Sequence, residues 1–394
     1  MTDTEPPSWT NWSERLSSDA ELAHVRSEED VAARLAAAAA AGTRVRAAGS
    51  SHSHMPLIPN EDVIVDTSAL TGVVSHDEHT QRAWLMAGSP IATLGPQLHE
   101  RGLALRNQGD IDRQAIAGAA ATGTHGTGLE LQNLSAGVVG ARIVIPSGDV
   151  VECSETENHD VWAAARLNLG ALGVVTRLEF QLREAYRLRE TRTIRPFEEA
   201  RDELADLPSR SRHYEFFWLP EHDIVVEKAI DETDDDPEYP IAAEGKRCGW
   251  NYEVLPSHRP WKHTEIEYSV PLNHGPDCMA EIRAMVQRDH PDMPWAVEYR
   301  TLAADDVWMS TAYERPTVTI SLHYDVGQDE TPMFSQAESI FREHDGRPHW
   351  GKVNYLDGPT LAELHPSWDD WWTVRDRLDP AGTMLNPYLL SIRP

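Results

Sequence analysis

The side chains best suited to chemistry lie in a few short stretches. Arg46-Ala47-Ala48-Gly49-Ser50-Ser51-His52-Ser53-His54 runs from a strand-like alternation into a small, flexible turn and then a histidine. Backbone N–H groups of such a turn can face an anion such as a pyrophosphate. The small neighbours of His52 leave room for a large ligand, although the same residues also suit a surface turn with a solvated histidine. His52-x-His54 could begin a metal site. No HExxH and no nearby acidic cluster completes it, so no metal is expected. Gly118 to Gly128 is too poor in large side chains to fill a core alone, which suits close backbone approach to a flat or charged ligand, or a tight helix–loop crossing. It is neither the dinucleotide fingerprint nor a P-loop, because the third glycine and the Gly-Lys-Ser/Thr are both missing. In Glu298-Tyr299-Arg300, a strand would put the carboxylate and the guanidinium on one face, toward solvent or a polar pocket. His323 shares a strand face with Ser321 in the same way. Arg347-Pro348-His349-Trp350-Gly351-Lys352 stands out because the chain has only four lysines, Lys228, Lys246, Lys262 and Lys352.

Elements able to position these residues can be read between them. Residues 19–41 are predicted as one helix, with Ser27 as N-cap, Asp30 as its reciprocal partner and Gly42 as the stop. Strands are expected at 44–47, 63–66, 83–87, 138–145, 150–152 and 175–182, and helices at 91–100 and 162–168. Gly170-Ala171-Leu172-Gly173 is a glycine turn entering a strand. Around 183–195 the composition becomes rich in arginine and glutamate, and a domain boundary is placed there. Beyond it, strands at 213–218, 224–229, 265–270, 295–302 and 317–324 alternate with helices at 278–288 and 334–343, and the chain ends after a tryptophan-rich helix. The acidic run 231–238 reads as an exposed loop.

Composition narrows the function. A chain of 394 residues can hold two domains. A net charge of -29 disfavours nucleic acid and anionic membrane as partners. Three cysteines without a CxxC fit a reducing compartment, residues 1–18 lack the pattern of a secretory signal, and no apolar run is long enough to span a membrane. A cytoplasmic location is expected.

Taken in order and spacing, Gly49 to Ser53, Asn107 to Asp112, Ala117 to Gly128, Gly170 to Val175 and Arg347 to Lys352 resemble the vanillyl-alcohol-oxidase-like (PCMH-type) flavoproteins. Within them the chain is most similar to the aldonolactone and alditol oxidase branch, as are Ser310 to Tyr313, Leu378-Asp379-Pro380 and Asn386-Pro387-Tyr388. The resemblance implies an α+β, two-domain fold: an FAD-binding domain over 14–186, a cap domain over 187–345 built on a large antiparallel sheet, and a segment 346–394 returning to the flavin. It implies FAD, attached covalently through His52, with Arg46, Gly49, Ser50, Ser51, Ser53, Asp110, Ala115, Gly118, Thr122, His125, Gly126, Val175 and His349 around the cofactor. Catalysis would fall to Arg300, Lys352 and Glu298, with Asp110 and His323 also touching substrate. The implied reaction moves a hydride from a sugar lactone or polyol CH–OH to the flavin N5. His323 in place of a threonine leans toward a lactone, and Gly109 leans toward dioxygen as acceptor, giving hydrogen peroxide. A dehydrogenase using another acceptor, and a flavin-free carbohydrate-binding protein, are the alternatives. Glu314-Arg315-Pro316, Ala115 and the stretch 231–263 depart from the family pattern.

Overall fold

The computed structural model describes residues 8–394, so the first seven residues of the N-terminal stretch read above lie outside it. In the first half of the chain a helix, Glu28–Ala41, packs Val31, Leu35 and Ala38 inward. Ser27 and Asp30 form the expected capping box, and Gly42 closes the helix in the left-handed region at φ 71°. The predicted helix is too long at its start. Glu21–His24 is a strand paired in parallel with Val63–Asp66, which in turn pairs with Val45–Ala48. Tertiary pairing there overrides the helical reading of a four-residue segment.

A second, five-stranded antiparallel sheet runs in the order Val150–Ser154, Val138–Val144, Val174–Gln181, Arg82–Met86, Val73–Asp77. The predicted helix at 162–168 is displaced to His159–Ala165. The small-residue segment contains a short helix, Ile116–Ala121, whose alanines lie in the main core beside Leu85, Ile143 and Leu178.

The second half is dominated by an eight-stranded sheet. Its order is Cys248–Trp250, Arg187–Pro196, Ile224–Glu232, His213–Leu219, Val297–Leu302, Thr317–Asp325, His263–Pro271, Arg347–Pro348. Period-two alternation divides its central strands. Tyr214, Phe216, Trp218, Ile266, Tyr268, Tyr299, Ile320 and Leu322 pack on one face against the helices Gly275–Asp289 and Thr331–Glu343. The other face carries Glu215, Phe217, Lys228, Glu265, Glu267, Glu298, Arg300, Ser321 and His323. In the register, Glu215 stands opposite Lys228, Glu298 opposite Ser321, and Glu265 opposite His323. In the acidic run, Asp231 and Glu232 end a strand rather than start a loop, and Glu232, Asp235 and Asp236 pair with Arg183, Arg189 and Arg187. No helix among the described residues is long and apolar enough to cross a membrane.

Arg46 ties three distant segments together. Its buried guanidinium donates to the carbonyls of Leu57 (2.6 Å), Leu169 (2.6 Å), Gly170 (2.7 Å) and Met384 (2.6 Å). Four of its five N–H groups are thus taken by backbone carbonyls, while the side chain also lines the cleft beside Gly49 and Ser50. Each buried acceptor left unpaired costs ~1–3 kcal/mol. Arg46→Met should accordingly lower unfolding stability by at least ~3 kcal/mol, measured as the midpoint of urea denaturation.

Candidate active site

Two clefts meet between the halves of the chain. The first is lined by Gly49, Ser50, Ser51, His52, Ser53, Gln114, Ala115, Gly118 and Thr122. Its loop is fixed from outside by the N-terminal segment. The Trp12 N–H donates to the Ser51 carbonyl (2.8 Å), Trp9 Nε1 donates to Ser51 Oγ (2.9 Å) and Asn11 Nδ2 donates to the Ser53 carbonyl (3.0 Å). Ser51 is held at φ 58°, a left-handed conformation that turns the loop. Gly49 is required sterically, since a Cβ there would lie 2.8 Å from that of Ala115. A Cβ on Gly118 would instead meet nothing within 4 Å. His52 is half-buried and stacks on Trp12, with centroids 5.5 Å apart and planes 25° apart. Burial, helped by the charges of Lys352 and His263, pulls its pKa down to about 4, so the ring is neutral at pH 7.

The second cleft, about 340 Å³, lies over the polar face of the large sheet. Gln114, His349 and Lys352 line both clefts. Arg300 Nη2 donates to Glu298 (2.5 Å) and its Nε to Glu215 (3.0 Å). Burial and the carboxylates of Glu215 and Asp110 push Glu298 up to about 7 against the opposing effect of Arg300. Burial alone would raise Glu265 too, but the Lys352 ammonium bonded to it, with His323 and His263, holds it well below the usual carboxylate range. His54, His263 and His323 stand 4.0, 3.7 and 3.7 Å from that carboxylate. His54, His263 and Glu265 thus come within reach of one another, a grouping the sequence did not show, and Lys352 already bonds its one carboxylate.

Glu267 accepts from His125 Nε2 (2.8 Å), which outweighs burial and lowers its pKa to about 2. The other nitrogen of His125 faces the Gly126 carbonyl (2.9 Å). His349 Nδ1 accepts from the Gly351 N–H (3.0 Å), and burial lowers its pKa to about 4. Asp110 is ionised, because Lys228 (3.0 Å) and Arg259 (2.7 Å) outweigh its burial.

The structure therefore gathers Asp110, His125, Glu298, Arg300, His323, His349 and Lys352 at one cleft, and Arg46, Gly49 to Ser53, Ala115, Gly118 and Thr122 at the other. Val175 is not brought to either cleft; its side chain is in the core, pairing across from Ile143. Gly126 is needed for packing, since a Cβ there would lie 2.2 Å from the Gln108 carbonyl. Sequence reasoning missed Trp12, Glu215, Lys228, Arg259, Glu265 and Glu267. For Lys228 a signal existed: in a strand it shares a face with Val226 and Ile230, an apolar setting for an ammonium.

These residues fit a large planar, phosphate-bearing ligand. Gly118 leaves open space in the first cleft, and Thr124 Oγ1, lining the second, is buried with no hydrogen-bond partner among the described residues. The comparisons agree. A family described as FAD binding domain matches residues 20–154, and one described as D-arabinono-1,4-lactone oxidase matches residues 240–392. The L-gulono-1,4-lactone dehydrogenase of Mycobacterium tuberculosis (strain ATCC 25618 / H37Rv) is 33% identical over 97% of this chain and 98% of its own. The chain belongs to the aldonolactone oxidase family of FAD-linked oxidoreductases. The alditol oxidase of a Streptomyces species is 26% identical over 97% of this chain and 98% of its own. A solvent-stable cholesterol oxidase shares the fold at TM-score 0.86, covering 98% of this chain and 97% of its own at 16% identity. The family's two-domain architecture, an FAD-binding fold joined to a large antiparallel sheet, is the one found here.

Gly118 offers a direct test of the first cleft as the FAD site. Gly118→Leu should keep the thermal unfolding midpoint of the flavin-free protein, since leucine suits a helix better than glycine. The flavin retained through purification should fall at least ~10-fold, as a filled cleft excludes a ligand worth more than ~1.4 kcal/mol of binding.

Proposed function

We propose that this protein oxidises the CH–OH group of a sugar lactone or polyol, using FAD and passing the electrons to dioxygen. The observation that carries this reading is the meeting of the two clefts at Gln114, His349 and Lys352, with Arg300 and Lys352 both lining the second. FAD, when bound, takes up the hydride that leaves the substrate carbon. Gly49 to Ser53, Gly118 and Thr122 are the residues to hold its phosphates, and His125 and His349 to flank its ring. His52, neutral and oriented by Trp12, is suited to the covalent attachment.

The chain's own contribution is electrostatic. Losing a hydride from carbon requires the hydroxyl to lose its proton, and the developing negative oxygen needs positive charge nearby. Arg300 and Lys352 supply it, each fixed by a carboxylate so that little reorganisation is needed on reaction. Glu298 lines the same cleft and can take a hydroxyl hydrogen bond or its proton. Asp110 and His323 line the cleft where further hydroxyls or a ring oxygen of the substrate would bind.

Residues 14–186 would form the FAD-binding unit, 187–345 the substrate-covering unit, and 346–394 the segment that returns Lys352 to the site. Three free, buried cysteines accord with a cytoplasmic location. Dioxygen as acceptor rests on Gly109, which lines the second cleft without a side chain. A non-oxygen acceptor is the second reading, favoured by the name of the 33%-identical relative.

Lys352→Ala should slow anaerobic flavin reduction by about 100-fold or more, the usual cost of removing one group that stabilises transition-state charge. Unchanged single-turnover reduction would remove Lys352 from the chemistry. During turnover of L-gulono-1,4-lactone or xylitol, peroxide should appear in step with substrate loss, and acid precipitation should carry the flavin down with the chain. Turnover only with an added dye would establish the second reading.

A further inference from the structure

Lys228 is the one lysine of the large sheet's polar face, and it does not line the cleft over that face. It is 2% exposed and lies behind the cleft, on the strand Ile224–Glu232. Its ammonium sits 3.0 Å from Asp110, on a loop of the first half of the chain, and 2.8 Å from Glu215, on the neighbouring strand. Asp110 is also bonded to Arg259 (2.7 Å), whose guanidinium lies over the Phe217 ring at 4.7 Å. Glu215 passes to Arg300, and Arg300 to Glu298. The result is an unbroken alternation: Arg259, Asp110, Lys228, Glu215, Arg300, Glu298. Lys228 stands in the middle, and Glu298 ends the chain with one strong cationic partner.

We propose that Lys228 is a positioning residue of the reaction: by joining Asp110 to Glu215 it fixes Arg300 and sets the electrostatic field in which Glu298 gains and loses its proton. The proposal rests on the reading that Glu298 and Arg300 face the substrate. Two negative groups near Glu298, Glu215 and Asp110, would press it toward the protonated form, and Lys228 offsets both at once. Other charges face Glu298 as well. Arg300 comes from its own strand, Glu265 and Glu267 from the strand His263–Pro271, and His323 from Thr317–Asp325. Arg259 comes from the segment above, and Lys352 and His349 from the returning C-terminal segment. None of these bridges Asp110 to Glu215. Lys228 alone spans the loop and the sheet, and its further contact with Ser257 Oγ (3.4 Å) adds the segment that carries Arg259.

Opposite signs distinguish this role from plain structural support. Removing the ammonium should make Glu298 harder to ionise; removing the Glu215 charge should make it easier. The experiment is a pH titration of the full-length FAD-bound protein by difference infrared spectroscopy. Glu298 is followed by its protonated-carboxyl band, assigned by the loss of that band in Glu298→Gln. The wild-type midpoint should fall near pH 7. In Lys228→Met it should rise by about one pH unit, in Glu215→Gln it should fall by a similar amount, and Lys228→Arg should return it close to wild type, as expected for nearby buried charges. Should Lys228→Met fail to fold, Glu215→Gln and Lys228→Arg still give the sign and the rescue. A midpoint unmoved in Lys228→Met, or moved in the same direction in Lys228→Met and Glu215→Gln, overturns the proposal, as does the absence of any Glu298 band titrating near neutrality. Anaerobic flavin reduction by L-gulono-1,4-lactone, D-arabinono-1,4-lactone or xylitol is measured across the same pH range, and its acid limb should move with the band. If the band moves as stated but none of these substrates reduces the flavin, the placement of Lys228 stands and the substrate reading fails.

Discussion

A charged group taken out of water must find its opposite, and this requirement shapes the polar face of the large sheet. Glu215, Glu265, Glu267 and Glu298 are all nearly buried on it. Isolated, each would cost several kcal/mol or would simply take up a proton. Lys228 and Arg300 answer Glu215, Lys352 answers Glu265, and His125 answers Glu267. The cations nearest the cleft thereby arrive already fixed, with their solvation replaced by protein. Glu298 shares Arg300 with Glu215 and, among the described residues, hydrogen-bonds besides only with Ser321, at 3.4 Å. Burial accordingly holds its pKa above the usual carboxylate range. The opposite face of the same strands is apolar and packed on two helices, so the strands cannot slip without exposing one face and burying the other.

Much of this was legible because a strand has a period of two. Glu298-x-Arg300 could be put on one face from spacing alone, and the 2.5 Å contact bears that out. Lys352 could be singled out because lysine is rare in this chain. The family resemblance was legible from several motifs in order, and the match over both halves of the chain bears it out. What could not be read was partnership across distance. Lys228 and Asp110 are separated by 118 positions, and Lys352 and Glu265 by 87. Nothing local to Glu265 or Glu267 distinguishes a buried carboxylate from one at a solvated sheet surface. The carbonyls that hold Arg46, 11 to 338 positions away, were equally out of reach of a local reading. Val175, expected to offer its backbone to the cofactor, lies on its predicted strand with its side chain in the core.

Several contacts between the two halves are made by irregular segments. Arg15 pairs with Glu330 (2.6 Å) and Glu14 with Lys262, so the N-terminal segment that braces the His52 loop also grips the second half of the chain. On the far side Ser257 donates its N–H to the Asp110 carbonyl (2.9 Å). Strand residues add to this bonding, Lys228 reaching Asp110 and Glu267 reaching His125, so the polar face of the sheet is itself part of the contact between the halves.

The carbonyl of Met384 has a consequence for the order in which the molecule can be made. The strand Val45–Ala48 leads directly into the Gly49–Ser53 loop, and it is bonded through the Val45 N–H to Thr383 and through Arg46 to Met384. During synthesis these residues emerge well before Thr383 and Met384, so the strand lacks two of its partners until those residues have left the ribosome. Closing so long a loop is entropically late. The loop that would receive the cofactor therefore reaches its final shape only after residues 383 and 384 are available, and a chain interrupted before residue 383 would carry the motif without the support that holds it in place.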